Sequence, residues 1–274
     1  MTLYRGMDRV ALDAAYNNSA AVTNSGELLA DFQKRSDGVR AEHNRYLDLR
    51  YGPAERNRID YFPAACPGPV LVFIHGGYWQ MRAKENFSFL ARGPLAHGIH
   101  VALVGYTLAP AIGLAGICDE VNAALSWVTS HAAGYGGDPD RVFVSGWSAG
   151  GHLTAMSLAH HAVKGGLAIS GIYDLTPIQR CYVNDKLQLS DADVRSLSPL
   201  LQPTQSSKPL LITYGEAELP ELQRQSTTYA SARSAAGMPG RLESMPGHNH
   251  FTILEELASP AGQLTQLLVE LIKT

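Results

Sequence analysis

The sequence predicts an α/β fold in which a mostly parallel sheet is covered by helices on both faces. Five short, nearly continuous apolar runs are typical of strands that are buried on both sides. Segments with helical spacing separate these runs, and buried strands alternating with helices indicate a parallel sheet. The runs lie at residues 70–74, 100–104, 142–144, 167–169 and 210–213.

Further elements follow from capping residues and periodicity. Residues from about 8 to 47 contain no proline and favour helix, with Asp8 as a cap for the first helix and Ser25 near the start of the second. Residues 58–62 alternate polar and apolar side chains, as an edge strand does. A last helix is predicted over residues 263–272. One further helix is predicted from a shared apolar face, formed by Val121, Ala124, Leu125 and Val128.

Residues 177–203 interrupt the alternation, and we interpret them as an insertion that forms a lid. The sequence shows no internal repeat and no low-complexity linker. We therefore expect residues 1–274 to form one domain.

Composition excludes several classes of protein. The net charge of the 274 residues is -3, with no basic patch such as a nucleic-acid-binding protein carries. Cys66, Cys118 and Cys181 form no disulfide or zinc pattern, which favours a reducing compartment. The N-terminus lacks the apolar core of a signal peptide, and every apolar stretch is shorter than the roughly twenty residues that span a bilayer. We expect a cytoplasmic protein without a membrane or nucleic-acid partner.

The pentapeptide Gly146-Trp147-Ser148-Ala149-Gly150 has the form G-x-S-x-G. In α/β-hydrolases this motif forms a sharp turn between a strand and a helix and presents the serine as a nucleophile. The motif alone is common, but residues 142–145 predict the required strand and residues 151–163 the required helix. We therefore predict that Ser148 is a nucleophile. The remaining alternative is an ordinary glycine-rich turn.

A second loop, His75-Gly76-Gly77-Tyr78-Trp79, follows the first apolar run. Glycines allow backbone N–H groups to approach the oxyanion that forms when a serine attacks a carbonyl. We predict that these N–H groups belong to Gly77, Tyr78 and Ala149. His75 precedes the nucleophile in the chain, so we interpret it as bracing the loop rather than as a base.

In α/β-hydrolases the nucleophile, the acid and the base follow one another in this order along the chain, and this order indicates where the acid and the base should lie. Of the two histidines in Gly247-His248-Asn249-His250-Phe251, we favour His250 as the base, with His248 as the alternative. Two histidines without a third ligand cluster do not indicate a metal site. The acid should follow the run at 210–213, where we favour Glu218. The alternatives for the acid are Glu216, Glu221 and Asp174, the last of which also fits a helix cap.

The three motifs resemble those of the kynurenine formamidase (arylformamidase) branch of the α/β-hydrolases, a relative of the hormone-sensitive-lipase-like esterases. The resemblance covers the chain from about residue 51 to the end. It implies that Ser148 is the nucleophile and His250 the base. The acid in the best-known members is usually aspartate, and the matching position here is Glu218.

The resemblance implies hydrolysis of N-formyl-L-kynurenine by two-step acyl transfer, without a cofactor or metal. It predicts a small acyl pocket and an aromatic pocket for the leaving group, lined by Tyr78, Trp79 and Tyr173. The alternative for Tyr78 and Trp79 is that they are plain core aromatic residues. Two alternatives remain: a carboxylesterase of broad specificity, and a ligand-binding protein that has lost its chemistry. The partner is a small aromatic amide or ester, and the sequence leaves a homodimer open.

Overall fold

The sheet has eight strands, and its central strands form because their apolar residues are buried between two layers of helices. The computed structural model describes residues 2–274. The strands are β1 (Leu49–Arg50), β2 (Arg58–Phe62), β3 (Gly68–Ile74), β4 (His100–Val104), β5 (Gly137–Trp147), β6 (Val163–Ile169), β7 (Leu210–Gly215) and β8 (Gly240–Met245). They pair in the order β1-β2-β4-β3-β5-β6-β7-β8. β1, β2 and β4 pair antiparallel, and all pairs from β4 to β8 are parallel.

The predicted fold class is confirmed, and each of the five apolar runs lies within a strand. The predicted strand at 58–62 is also present, but β1 pairs with its first two residues, so β2 is second from the edge. β1 and β8 were not predicted from the sequence. The helix predicted over 151–163 runs from Ala149 to Ser157, because Val163 already begins β6.

Helices cover both faces of the sheet and separate its parallel strands. They are α1 (Arg9–Ala15), α2 (Asn18–Ala21), α3 (Ser25–Glu42), α4 (Arg92–Leu95), α5 (Leu114–His131), α6 (Ala149–Ser157), α7 (Thr176–Arg180), α8 (Asn184–Leu187), α9 (Asp191–Leu197), α10 (Pro220–Ala235), α11 (Glu255–Ala258) and α12 (Gln263–Lys273). The predicted apolar face of α5 is buried. None of the helices within residues 2–274 has the length and apolarity required to cross a bilayer.

The N-terminal helices are fixed to the sheet by a buried ionic contact. Asp8 caps α1, as predicted, by accepting a hydrogen bond from the backbone N–H of Ala11. The carboxylate of Asp60 on β2, which is completely buried, accepts from Lys84 Nζ at 2.7 Å and pairs with Arg40 at the end of α3. A buried carboxylate with two cationic partners avoids most of the penalty of an isolated buried charge. This contact holds α3 against the sheet, and the chain before α3 is thereby placed near the carboxyl ends of the strands.

Candidate active site

Ser148 occupies a strained turn between β5 and α6. Its backbone has φ 58° and ψ −118°, a conformation that a residue with a side chain rarely adopts. The Ser148 N–H donates to the carbonyl of Ile169 at 2.8 Å, which holds the turn against β6. A Cβ atom on Gly146 would collide with the carbonyl of Gly150, and one on Gly150 with that of Ile74. The two glycines of the pentapeptide are therefore required by close backbone packing.

His250 and Glu218 form a buried pair. His250 Nδ1 lies 2.9 Å from Glu218 Oε2, and both residues are almost inaccessible to solvent. Because a carboxylate can only accept, the Nδ1 nitrogen carries the proton and Nε2 is left free to act as a base. The other oxygen of Glu218 accepts from Ser170 Oγ at 2.5 Å and from the backbone N–H of Gly215 at 2.7 Å.

The alternative acids are occupied elsewhere. Asp174 accepts from the backbone N–H of Thr176, the first residue of α7, at 2.9 Å, although the N-cap position of this helix is Leu175. Glu216 accepts from Ser244 Oγ at 2.7 Å. Glu221 pairs with Arg224 at 2.8 Å. Of the four carboxylates weighed, Glu218 is the one within hydrogen-bond distance of His250.

His248, the alternative base, is held away from the nucleophile by other contacts. Its Nδ1 lies 3.1 Å from the carbonyl of Thr252, and its Nε2 lies 3.2 Å from Glu256 Oε1. Both ring nitrogens therefore have partners outside the pair formed by His250 and Glu218. The geometry is consistent with His250 as the base.

The backbone conformation of the loop after β3 is compatible with the prediction that its N–H groups bind the oxyanion. Gly77, Tyr78 and Trp79 have φ values of 114°, 50° and 59°. A Cβ on Gly76 would lie 2.6 Å from the Trp147 ring, so the loop packs directly on the nucleophile turn. Within residues 2–274, no hydrogen-bond acceptor is assigned to the N–H groups of Gly77, Tyr78 and Ala149. Three N–H groups with unused donor capacity are therefore available near Ser148.

Two buried histidines support this loop and the nucleophile helix. His75 lies beside the Tyr106 ring, with ring centroids 4.3 Å apart, and its Nδ1 donates to the carbonyl of Gly76 at 2.8 Å. His152 Nε2 donates to the carbonyl of Leu197 at 2.8 Å and so ties α6 to α9. Burial lowers the pKa of each to about 4. Both rings are therefore neutral at pH 7, and the position of His75 matches its predicted bracing role.

The lowered pKa values of His75 and His152 predict that the protein loses stability in mild acid. The unfolded chain takes up their protons near pH 6.5, whereas the folded chain does so only near pH 4. The unfolded state therefore binds more protons in that window, and the free energy of unfolding should fall by about 1.4 kcal/mol per pH unit for each histidine. Urea unfolding between pH 7 and pH 4.5 measures this slope.

His152→Gln keeps a donor for the Leu197 carbonyl but does not titrate, so we expect it to remove about half of the slope. His131→Gln, at an exposed position, serves as the control and should leave the slope unchanged. A free energy of unfolding that stays constant from pH 7 to pH 5 would contradict the prediction.

A small cavity of about 40 Å³ adjoins Ser148. It is bordered by Asn18, Ser19, Gly77, Tyr78, Met81, Arg82, Trp147, Ser148, His250 and Phe251. Ser19 and Met81 are exposed, so the cavity opens to solvent between α2 and the loop at residues 77–82. The cavity is far smaller than the roughly 300–1,000 Å³ of pockets that enclose a whole small-molecule ligand, so it can receive only a small part of a substrate.

The N-terminal segment, rather than residues 177–203, borders this cavity. The Tyr78 hydroxyl donates to the carbonyl of Tyr16 at 2.5 Å and accepts from Asn18 Nδ2 at 3.2 Å. Residues 177–203 form α7, α8, α9 and a short 3₁₀ turn, and Gln80 Nε2 donates to Val183 among them. That this segment moves as a lid stays a prediction.

Removing the Tyr78 hydroxyl should loosen α2. Tyr78→Phe keeps the backbone N–H but loses both side-chain hydrogen bonds, each worth about 0.5–1.5 kcal/mol. We expect faster deuterium exchange over residues 9–21 and a KM raised about threefold to tenfold, with kcat little changed. Tyr46→Phe, outside the cavity, is the matched control. Unchanged exchange at residues 9–21 would contradict the role of this hydroxyl.

Trp79 and Tyr173 do not occupy the predicted positions in the pocket. Both side chains are completely buried, and neither borders the cavity. Trp79 meets His152 edge-on at 5.0 Å, and Tyr173 stacks on Tyr229 at 4.5 Å. The two aromatic residues belong to the core beneath the site. Tyr78, by contrast, does border the cavity.

Several residues of the site were not predicted. Trp147 donates its indole N–H to the carbonyl of His250 at 2.7 Å, and its place in the pentapeptide was a signal that could have revealed it. Ser170 orients Glu218 from the end of β6. Asn18 and Arg82 border the cavity, but no local sequence pattern marks either of them.

Sequence comparison relates the chain to known hydrolases. The profile of the prolyl oligopeptidase family matches residues 118–265, and the BD-FAE profile matches residues 61–167. Kynurenine formamidase of Salmo salar is 33% identical over 247 residues, covering 82% of this chain and 81% of that protein. Kynurenine formamidase of Danio rerio is 30% identical over 256 residues, covering 86% of this chain and 85% of that protein.

Solved structures show the same fold. A protein of Silicibacter sp. TM1040, described as a candidate thioesterase, has a TM-score of 0.84 and 27% identity, covering 94% of this chain and 98% of its own. An esterase of Pyrobaculum calidifontis has a TM-score of 0.70 and 17% identity, covering 97% of this chain and 98% of its own. At that identity the second likeness concerns the fold alone.

Proposed function

This chain belongs to the kynurenine formamidase family of α/β-hydrolases and, over residues 118–265, to the prolyl oligopeptidase family, and we propose that it hydrolyses N-formyl-L-kynurenine or a related aryl formamide. It is an arylformamidase-like hydrolase. The observation that carries the choice of substrate is the 40 Å³ cavity beside Ser148. A cavity this small favours a small acyl group such as formyl over a long acyl chain.

In the proposed first step, His250 Nε2 takes the proton of Ser148 Oγ as the oxygen attacks the formyl carbon. The negative charge that develops on the formyl oxygen is stabilised by the N–H groups of Gly77, Tyr78 and Ala149. Glu218 stabilises the imidazolium of His250. The histidine then gives its proton to the aryl nitrogen, the C–N bond breaks, and the arylamine leaves.

In the second step, His250 takes a proton from water as the water oxygen attacks the formyl ester on Ser148. Collapse of the second tetrahedral intermediate returns the proton from His250 to Ser148 and releases formic acid, which gives up its remaining proton to water and becomes formate. Every proton moves between Ser148, His250, water and the leaving group, so the proposal includes no cofactor or metal. The three cysteines are free thiols, which supports placing the reaction in the cytoplasm.

The test compares N-formyl-L-kynurenine with p-nitrophenyl acetate, using wild type and Ser148→Ala. We expect rapid formamide turnover that disappears in the variant, while Ser130→Ala, an exposed serine, retains it. Ester turnover alone would replace the formamidase proposal with an esterase that uses the same serine. Turnover that survives Ser148→Ala would contradict the proposed nucleophile.

A further inference from the structure

Arg82 is a charged residue of the cavity that the proposed mechanism does not use. Together with Ser148 and His250 it borders the cavity, and its side chain is half-buried. Within residues 2–274, no carboxylate lies at ion-pair distance from its guanidinium. Burial alone lowers the pKa of Arg82, without a neighbouring anion to offset the effect. The side chain is thus a cation without an internal partner at the mouth of the site.

The position of Arg82 is fixed by its surroundings. Its Cγ atom lies so close to Gly77 that a Cβ on the glycine would be 2.8 Å from it, and the side chain therefore passes over the oxyanion loop. Its carbonyl accepts from Arg56 Nη2 at 2.6 Å, and its φ is 74°. These constraints hold the start of the side chain beside the loop and reduce the entropy lost when a ligand binds.

The rest of the cavity lining carries no acidic side chain. The nearby carboxylate of Glu218 is buried and is engaged by His250, Ser170 and Gly215. A half-buried guanidinium with unused donors is best satisfied by a ligand anion, and its planar fork matches a carboxylate. Any such anion must come from the ligand.

The geometry also indicates which half of the substrate carries the anion. The cavity beside Ser148 accommodates only a small acyl group, so the leaving group must extend through the opening, where Met81 and Arg82 lie. We infer that Arg82 is a specificity-determining residue that binds a carboxylate in the amine half of the substrate. The enzyme therefore prefers aryl formamides whose leaving group bears a carboxylate. The assignment of the substrate as a formamide rests on the proposed function. The assignment of a carboxylate to its leaving group does not.

Binding to the inactive Ser148→Ala variant tests this without turnover. L-kynurenine carries the carboxylate, and its decarboxylated analogue kynurenamine does not. We expect L-kynurenine to bind about 10- to 100-fold more tightly, as is typical of charge-assisted hydrogen bonds. Adding Arg82→Gln should abolish this difference, and Arg82→Lys should retain part of it. The control is Arg195→Gln, which removes one positive charge at an exposed position outside the cavity. It should leave the affinity for both compounds unchanged.

Equal affinity for the two compounds, or no binding of either, would overturn the inference. An Arg82→Gln variant that lowers the affinity for both compounds equally would also overturn it, because that result would indicate a purely structural role.

Kinetics separates this inference from the proposed function. For formamides, Arg82→Gln should raise KM for N-formyl-L-kynurenine about 10- to 100-fold and leave kcat/KM for formanilide unchanged. If the enzyme cleaves only esters, 4-acetoxyphenylacetate and phenyl acetate provide the same comparison. A selective loss with the charged ester would then support Arg82 although the formamidase proposal had failed. An equal loss with both members of a pair would contradict the role of Arg82.

Discussion

Replacement of His250 by alanine is expected to lower kcat/KM by about 10⁴- to 10⁶-fold, as does loss of the base in other serine hydrolases. The Ser148 hydroxyl is a poor nucleophile until a neighbouring group removes its proton. His250 is the proposed base, because it borders the same cavity as Ser148 and because Glu218 holds its Nδ1 at 2.9 Å, which leaves Nε2 free. Steady-state kinetics on N-formyl-L-kynurenine and p-nitrophenyl acetate measures the loss.

His248→Ala is the matched control for this experiment. It removes a histidine two positions away whose ring nitrogens contact Thr252 and Glu256. We expect activity within about threefold of wild type, since the His248 ring and its Glu256 partner are partly exposed to solvent. Greater damage from His248→Ala than from His250→Ala would reverse the assignment of the base. Circular dichroism of both variants confirms that any loss of activity is not a loss of fold.

Replacement of Glu218 by glutamine should lower kcat by about 10²- to 10⁴-fold. The substitution preserves the size of the side chain but removes the charge that stabilises the imidazolium. A glutamine can also turn its amide NH₂ toward His250 Nδ1, which would favour the wrong tautomer of the base. Measuring kcat on p-nitrophenyl acetate tests this, since the effect does not depend on the natural leaving group.

Two neighbouring glutamates provide controls that also test the alternative acids. Glu216→Gln weakens one exposed hydrogen bond from Ser244 by removing its charge, and Glu221→Gln weakens an ion pair with Arg224. We expect both variants to retain kcat within about threefold, although Glu221→Gln should lower stability slightly. If either variant lost more activity than Glu218→Gln, the acid of the proposed triad would have been misassigned.

The sequence predicted the central sheet well because buried parallel strands are almost continuously apolar. β3 and β4 are buried on both faces and could be recognised from composition alone. β8 escaped recognition because it lies at the edge, where the segment Gly240–Met245 is polar and half-exposed. The helix after Ser148 was predicted too long, since the strand β6 that follows it has a similar apolar pattern.

The pair of Glu218 and His250 could be anticipated because the order of the motifs reflects a topology that brings the ends of these segments together, and Ser148 borders the same cavity as His250. The cavity beside Ser148 could not be predicted from the sequence. Its covering residue Asn18 contacts Tyr78, 60 positions along the chain, and this contact depends on how α3 and α2 pack. The sequence left both the core and the site open for Trp79, because an aromatic residue after a strand can face either, and the structure buries it completely in the core.

Labelling with a fluorophosphonate, followed by peptide mass spectrometry, shows directly whether Ser148 is an activated nucleophile. The reagent phosphonylates only a serine that an adjacent base has activated. We expect one label per chain, on Ser148, formed rapidly by wild type and far more slowly by His250→Ala. A label on another serine, or no label on a protein that still hydrolyses its substrate, would exclude Ser148 as the nucleophile.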